Sequence, residues 1–234
     1  MPGGSGGGGP RTATAVVVGP HYPGPVSTPT IGVFALQGDV REHLHAVSAL
    51  GAEPLPVRRP EELARVDGLI LPGGESTTMI KLADAFDMTE PFTHAIRDGL
   101  PVFGTCAGMI MLADRLRDGA PGQRTFGGLD ATVRRNAFGR QVDSFESWVP
   151  FTTFAEPVHA VFIRAPWIEE VGPDVEVLAS VHVDGPAAPD GEAAHQGSDR
   201  IVAVRHGRLL ATSFHPEVGD DLRLHRLFLD LVTS

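Results

Sequence analysis

The chain has 234 residues, of which 42% are hydrophobic, and a formal net charge of −10 at pH 7. This length is enough for one sizeable hydrophobic core, and the acidic balance argues against nucleic acid as a partner. The single cysteine excludes an internal disulfide. No apolar run reaches membrane-spanning length, so we expect a cytoplasmic protein that does not enter a membrane.

Gly, Pro, Ser and Thr dominate the first 30 residues, a composition typical of disorder. We therefore expect a disordered extension over residues 1–30 and one folded domain over residues 31–234. The apolar run from Ile31 to Leu36 is typical of a buried parallel strand.

Strand and helix patterns then alternate along the first half of the domain. They predict helices at 40–50, 78–86 and 92–96 and strands at 53–57, 66–71 and 101–103. This order predicts an α/β fold with three layers, in which helices cover both faces of a mainly parallel, mixed sheet. Functional loops are then expected at the carboxyl ends of the strands.

The second half of the chain changes to a strand-rich pattern. After a helical pattern that runs from Met109 to Leu116, we expect a mixed or antiparallel region and a closing helix at 222–232. Residues 182–199 lack periodicity, which indicates an inserted surface loop. The strands are predicted at 129–133, 145–149, 158–163, 175–181, 201–205 and 209–214, with the last two forming a hairpin.

Cys106 lies between the strand at 101–103 and the helical pattern that follows it, with Gly104 and Gly108 on either side. A lone buried cysteine is more often an inert apolar residue. At a helix N-terminus, however, free amide groups and the helix dipole favour a thiolate and can bind an oxyanion. Gly104 would permit a strained or positive-φ turn, and Gly108 would permit close packing. We interpret Cys106 as a nucleophile.

A base for this nucleophile is expected at Ser213-Phe214-His215-Pro216-Glu217, directly after the last predicted strand. In an extended segment, residues two apart point the same way, so Glu217 can orient His215. Most of the other histidines are interpreted as solvated or satisfied polar residues, with His43 and His45 on different faces of their helix. Because no set of residues has the spacing of zinc ligands, we predict no metal and no cofactor.

The segment from Pro72 to Thr77 joins a predicted strand to a predicted helix. It lacks the lysine of a nucleotide-phosphate loop. Its amide groups can still accept an anion or oxyanion, and Ser76 can cap the helix.

With these residues in place, the chain resembles the class I, triad-type glutamine amidotransferases, and within them the glutaminase subunits of pyridoxal 5′-phosphate synthase. The resemblance covers roughly residues 31–232. It rests on Ala35-Leu36-Gln37-Gly38, Arg41-Glu42-His43, Leu69 to Thr78, Phe103 to Gly108, Arg135 to Glu146, Phe162 to Pro166 and Ser213 to Glu217.

The resemblance implies hydrolysis of L-glutamine to L-glutamate and ammonia through a thioester on Cys106, with His215 and Glu217 completing the triad. It implies that ammonia passes to a separate synthase subunit, in a hetero-oligomer that makes pyridoxal 5′-phosphate. Either Arg135 or Arg164 could bind the α-carboxylate of glutamine. The implied glutamine contacts are Gly74, Glu75, Ser76, Arg135, Ile163 and Arg164, the oxyanion amides are those of Gly74 and Ala107, and Gln37 is a possible accessory residue.

Three features depart from the family pattern: the extension over 1–30, the loop over 182–199, and Ala137 where serine is common. None of them touches the triad. Two other functions stay open: a triad amidotransferase that serves a different acceptor subunit, and a non-catalytic α/β module that only binds a partner.

Overall fold

A mixed β-sheet with helices on both faces forms the fold. The computed structural model describes residues 28–135, 144–183 and 198–234. The strands are β1 (Thr30–Phe34), β2 (Glu53–Val57), β3 (Gly68–Leu71), β4 (Val102–Thr105), β5 (Ala113–Arg117), β6 (Leu129–Arg134), β7 (Ser144–Val149), β8 (Val158–Ile163), β9 (Trp167–Val171), β10 (Glu176–Val183), β11 (Ser198–His206) and β12 (Leu209–Thr212). The helices are α1 (Val40–Ala49), α2 (Pro60–Leu63), α3 (Ser76–Ala85), α4 (Thr89–Arg97), α5 (Ala107–Leu112) and α6 (Arg223–Thr233).

The main sheet has the strand order β2-β1-β3-β4-β12-β11-β9-β6-β5, and β10 pairs with β11. From β2 to β12 every pairing is parallel. Strands β3, β4 and β12 are buried at every position, as expected for parallel strands that are covered on both faces. Beyond β12 the pairings are antiparallel, except for the parallel pair of β5 and β6, and β7 and β8 form a separate hairpin.

Two hydrophobic clusters cover the two faces of the sheet. Met79 of α3 and Phe92 of α4 belong to one cluster, together with Met109 of α5. Val47 of α1 and Phe228 of α6 belong to the other. The predicted three-layer α/β architecture is therefore confirmed.

The carboxyl ends of β3, β4 and β12 meet at one edge of the sheet. In the parallel register, Leu71 pairs with Gly104, and Thr105 pairs with Thr212. The segments that begin at Pro72, Cys106 and Ser213 therefore leave the sheet side by side.

The helix predicted to reach Leu116 is wrong in its second half. Helix α5 ends at Leu112, and residues 113–117 form β5, which pairs with β6. Across this pairing, the Arg115 guanidinium donates hydrogen bonds to Thr132 and Asp130 of β6. Strand β9 and the short helix α2 were not predicted from the sequence.

The predicted bounds of the domain and of the inserted loop also differ from the structure. Thr30 belongs to β1 and pairs with Glu53, so the sheet begins before residue 31. Strand β10 reaches Val183 and β11 begins at Ser198, so both ends of the predicted loop at 182–199 are strand residues. Residues 1–27 and 184–197 and Ala137 lie outside the described residues. Within the described ranges, no helix has the length and apolar character needed to cross a bilayer.

Candidate active site

Cys106 occupies a sharp turn between β4 and α5. The sequence predicted a strained or positive-φ conformation at Gly104. The structure instead places it at Cys106, whose backbone has φ 48° and ψ −103°. The flanking glycines are needed for close packing. A Cβ on Gly104 would lie 2.7 Å from the backbone of Gly108, and a Cβ on Gly108 would lie 2.0 Å from the carbonyl oxygen of Leu71.

His215 and Glu217 lie together in the segment that follows β12. The His215 Nδ1 and Glu217 Oε1 atoms are 2.7 Å apart, and both side chains are buried. The prediction of an extended segment is wrong, because residues 216–217 form a turn in which the Val218 amide donates to the His215 carbonyl. The His215 amide donates to Val161 of β8, which fixes the start of this turn.

His215 is held in its charged form. Burial disfavours the charge, but hydrogen bonds with Asp39, Cys106 and Glu217 outweigh burial and raise the pKa of His215 to about 12. The Asp39 carboxylate lies 3.3 Å from His215 Nδ1 and was not predicted as a site residue. Burial raises the pKa of Glu217 above its ordinary value, although the hydrogen bond with His215 acts in the opposite direction. The site therefore favours an imidazolium beside the sulfur of Cys106.

Two buried histidines behind Glu217 were also missed. His43 and His225 are almost completely buried and hydrogen-bonded to each other, as expected for satisfied polar residues, but their place beside the triad was not predicted. A signal for His43 was present in the sequence, because it lies three and four residues before the buried Ala46 and Val47 on α1. His45, on the opposite side of this helix, is exposed as expected for a solvated histidine.

The predicted glutamine contacts line one small cavity of about 90 Å³ beside the Cys106 sulfur. Ile163 and Arg164 are exposed at its mouth, and the carbonyl of Ile163 lies 3.9 Å from Cys106 Sγ. Ile110 of α5 was not predicted. The cavity is lined by Gly74, Glu75, Ser76, Cys106, Ala107, Ile110, Arg135, Ile163 and Arg164.

Ser76 was predicted to cap the N-terminus of α3, but Glu75 is the capping residue. Its carboxylate accepts hydrogen bonds from the amides and hydroxyls of Thr77 and Thr78. Burial acts to raise the pKa of Glu75, but these hydrogen bonds outweigh it and lower the pKa to about 2. Arg135 Nη2 lies 3.2 Å from the same carboxylate. Glu75 is therefore a fixed negative charge at the wall of the cavity.

Gln37 lies against the turn at Gly74. Its side-chain oxygen accepts a hydrogen bond of 2.9 Å from the Glu75 amide. A Cβ on Gly74 would lie only 2.5 Å from that oxygen, so this approach requires glycine. The structure thus places Gln37 beside one of the two predicted oxyanion amides.

Among the residues that the structure describes, one cluster offers three potential metal-ligand atoms within 4.8 Å of one another: Asp39, His215 and Glu217. These are groups of the triad and its neighbour. His215 Nδ1 is hydrogen-bonded to Glu217, and a metal on this nitrogen would replace that bond. The absence of a metal from the reaction stays a prediction.

The comparison with protein families decides the class of this site. The model of the SNO glutamine amidotransferase family matches residues 33–234. The chain belongs to this family. The class I amidotransferase resemblance expected from the sequence is thereby confirmed.

Similar proteins extend this match over most of the chain. The pyridoxal 5′-phosphate synthase subunit PdxT of Nocardioides sp. is 63% identical over 208 residues, which are 89% of this chain and 98% of the relative. The protein of the same name from Acidothermus cellulolyticus is 59% identical over 211 residues, covering 90% and 97%.

Solved structures match as well. A crystal structure of a glutamine amidotransferase is 45% identical, with a TM-score of 0.74, and the match covers 87% of this chain and 99% of that one. A glutamine amidotransferase from Thermotoga maritima is 14% identical, with a TM-score of 0.51 over 87% of this chain and 93% of that one, and shows likeness of fold alone.

Proposed function

We propose that this amidotransferase-family protein hydrolyses L-glutamine to L-glutamate and ammonia and delivers the ammonia to the synthase subunit of pyridoxal 5′-phosphate synthase. The observation that carries the proposal is the buried His215–Glu217 pair of 2.7 Å beside Cys106, the only thiol of the chain, which lines the cavity. The relatives with 63% and 59% identity are both named as a subunit of pyridoxal 5′-phosphate synthase, which supports the synthase subunit, rather than a different acceptor subunit, as the receiver of the ammonia.

The triad performs the first half of the reaction by nucleophilic and acid–base catalysis. Because Nδ1 of His215 is bonded to Glu217, Nε2 is the nitrogen that exchanges a proton with Cys106. The thiolate attacks the side-chain amide carbon of glutamine, and the amides of Gly74 and Ala107 stabilise the oxyanion. His215 then gives its Nε2 proton to the amide nitrogen, the C–N bond breaks, and ammonia leaves.

Hydrolysis of the resulting γ-glutamyl thioester restores the enzyme. Neutral His215 takes a proton from water, and the hydroxide adds to the thioester carbon. The C–S bond then breaks, which returns the Cys106 thiolate and the imidazolium and releases glutamate. Glu217 stays ionised throughout and stabilises the positive charge on His215.

The charges around the cavity suit the two ends of an amino acid. The ionised Glu75 carboxylate attracts the α-ammonium group of glutamine. Arg135 is already paired with Glu75, whereas Arg164 has no ion-pair partner among the described residues. We therefore assign the α-carboxylate to Arg164, whose planar guanidinium can bind both oxygens. Ser76 and Ile163 form the remaining walls of the cavity.

We further propose that the glutaminase domain begins with Thr30, the first residue of β1, and extends to residue 234, and that the protein works in the cytoplasm. A free catalytic thiol supports this location, because the reducing cytoplasm keeps thiols from forming disulfides. The boundary is supported by the family match, which begins at residue 33.

The test measures glutamate release from glutamine by the full chain, with and without the synthase subunit. We expect weak release alone and stimulation by the subunit, because hydrolysis without an acceptor wastes ammonia. Cys106→Ala is expected to abolish release while keeping the melting temperature and binding to the synthase subunit. Absence of release from the unsubstituted protein in both mixtures would favour the non-catalytic binding module. Release that the subunit does not stimulate would favour a different acceptor.

A further inference from the structure

Two buried histidines continue the triad away from the cavity. His43 Nε2 lies 3.4 Å from Glu217 Oε2 and 3.3 Å from the Thr105 hydroxyl oxygen. On the other side of the ring, His43 Nδ1 lies 2.9 Å from His225 Nε2. His43 is inaccessible to solvent and His225 is 1% exposed. None of the steps proposed above uses either side chain.

The charge state of both rings follows from their burial. Burial is the main cause that lowers the pKa of His43 well below its ordinary value, and His225 and His215 lower it further. Burial also lowers the pKa of His225 to about 4. At pH 7 each ring is therefore neutral and carries one N–H group.

The neighbours of His43 then select the nitrogen that carries the proton. A lone pair on His43 Nε2 would face the Glu217 carboxylate at 3.4 Å and would be repelled by it. With the proton on Nε2, the N–H points toward the carboxylate and the Thr105 hydroxyl, and Nδ1 accepts a hydrogen bond from His225. The N–H of His225 thus fixes the tautomer of His43.

We propose that His43 is a positioning residue of the glutaminase, whose Nε2–H holds the Glu217 carboxylate in the orientation that bonds to His215. The inference rests on the proposed function for its activity readout. Glu217 Oε2 is buried and has no other side-chain donor within hydrogen-bond distance among the described residues, so the His43 N–H at 3.4 Å supplements the backbone amide of Glu217 in compensating the carboxylate. A buried carboxylate oxygen without such compensation is costly. Without His43, Glu217 would take up a proton or rotate, and either change would weaken its bond to His215.

A purely structural role for His43 makes a different prediction. Its ring lies 5.1 Å from the His225 ring, and the His225 ring lies 5.8 Å from the Phe103 ring, so the group also packs as an aromatic cluster. If packing were the whole role, His43→Phe would keep the activity. If the N–H is needed, His43→Phe loses activity and His43→Gln, whose side-chain amide can supply a donor, restores it.

The experiment compares these variants in glutamate release by the full chain with the synthase subunit. We expect His43→Phe to lower kcat by about 10- to 100-fold, at or below the lower end of what general acid–base catalysis contributes, because His43 acts only through Glu217. KM for glutamine should stay within about twofold. His43→Gln is expected to keep kcat within about fivefold of the unsubstituted protein. The matched control is His45→Gln, an exposed position on the same helix, which should change neither constant.

A second readout needs no glutamine turnover. Cys106 is the only cysteine, so its alkylation by iodoacetamide at pH 7, followed by mass spectrometry, reports the reactivity of one thiol. We expect slower alkylation in His43→Phe and an unchanged rate in His45→Gln. Unchanged kcat and alkylation in a folded His43→Phe protein, or equal losses in the Phe and Gln variants, would overturn the inference.

The unsubstituted protein gives a test that does not depend on whether a variant folds. Nitrogen-15 NMR of labelled histidine at pH 7 should show His43 neutral and protonated on Nε2, and a proton on Nδ1 would contradict the proposed contact. If the unsubstituted protein releases no glutamate, the proposed function fails, and alkylation and NMR still decide the positioning of Glu217.

Discussion

The buried His225 should make the folded chain sensitive to mild acid. We expect its free energy of unfolding to fall at a pH where most carboxylates are still ionised. Burial lowers the pKa of this histidine from its ordinary value of 6.5 to about 4. Between these two values the unfolded chain binds a proton that the folded chain does not. Protonation of His225 therefore does not affect the free energy of unfolding above pH 6.5, and it lowers this free energy progressively as the pH falls from 6.5 toward 4.

The size of the effect follows from the two pKa values of His225. Between pH 7 and pH 5, this one group lowers the free energy of unfolding by about 2 kcal/mol. Over this interval, carboxylates with ordinary pKa values change their protonation only slightly. His43 acts in the same direction, because burial lowers its pKa as well. His215, whose pKa is raised to about 12, acts in the opposite direction, because the folded chain keeps its proton while the unfolded chain releases it above pH 6.5. The contribution of His225 is therefore measured as the difference between the unsubstituted chain and a variant that lacks this histidine.

The assay is urea denaturation at pH 7 and at pH 5, followed by circular dichroism, for three proteins. His225→Gln should lose about 2 kcal/mol less than the unsubstituted chain between the two pH values, because it has no buried imidazole to protonate at that position. His45→Gln, which changes an exposed histidine, should match the unsubstituted chain. Equal pH sensitivity of the unsubstituted and His225→Gln proteins would refute the reasoning.

Three further predictions concern other parts of the molecule. Gly108→Ala should lower the free energy of unfolding by about 1–3 kcal/mol, because the added Cβ would lie 2.0 Å from the Leu71 carbonyl oxygen. Urea denaturation measures this change, and an unchanged free energy of unfolding would contradict the clash. Arg164→Gln should raise KM for glutamine by about tenfold or more, since it removes a charged hydrogen-bonding partner, while a change confined to kcat would argue against carboxylate binding. Removal of residues 1–27 should leave the melting temperature and glutamate release unchanged, since the cavity and the triad lie after this segment, and a large loss of either would contradict that expectation.

The central strands and the Cys106 turn could be predicted from the sequence because local patterns determine them. Strands such as β3 and β4 are short apolar runs that end in glycine-containing turns. The strand β5 could not be predicted in the same way. Its apolar residues fit a helix equally well, and pairing with β6 across the sheet decides the outcome.

Within the site, local motifs predicted the triad and the family resemblance supplied the glutamine contacts, but neither indicated Asp39 or His225. His215 and Glu217 are two residues apart, and Cys106 follows its own strand. Asp39 comes from the loop before α1, and His225 comes from α6 at the far end of the chain. Their contacts with the triad and with His43 depend on the packing of distant elements, which no local pattern contains.

The neutrality of His43 connects the stability of the fold to the chemistry of the triad. Glu217 lies between His215, which is charged, and His43, which burial keeps neutral. A protonated His43 would place a second positive charge beside Glu217, so the carboxylate would be shared between two cations and would stabilise each of them less. Burial keeps the charge of Glu217 available to His215 and also makes the fold sensitive to acid. The acid sensitivity of the fold and the strength of the His215–Glu217 pair therefore have the same physical origin.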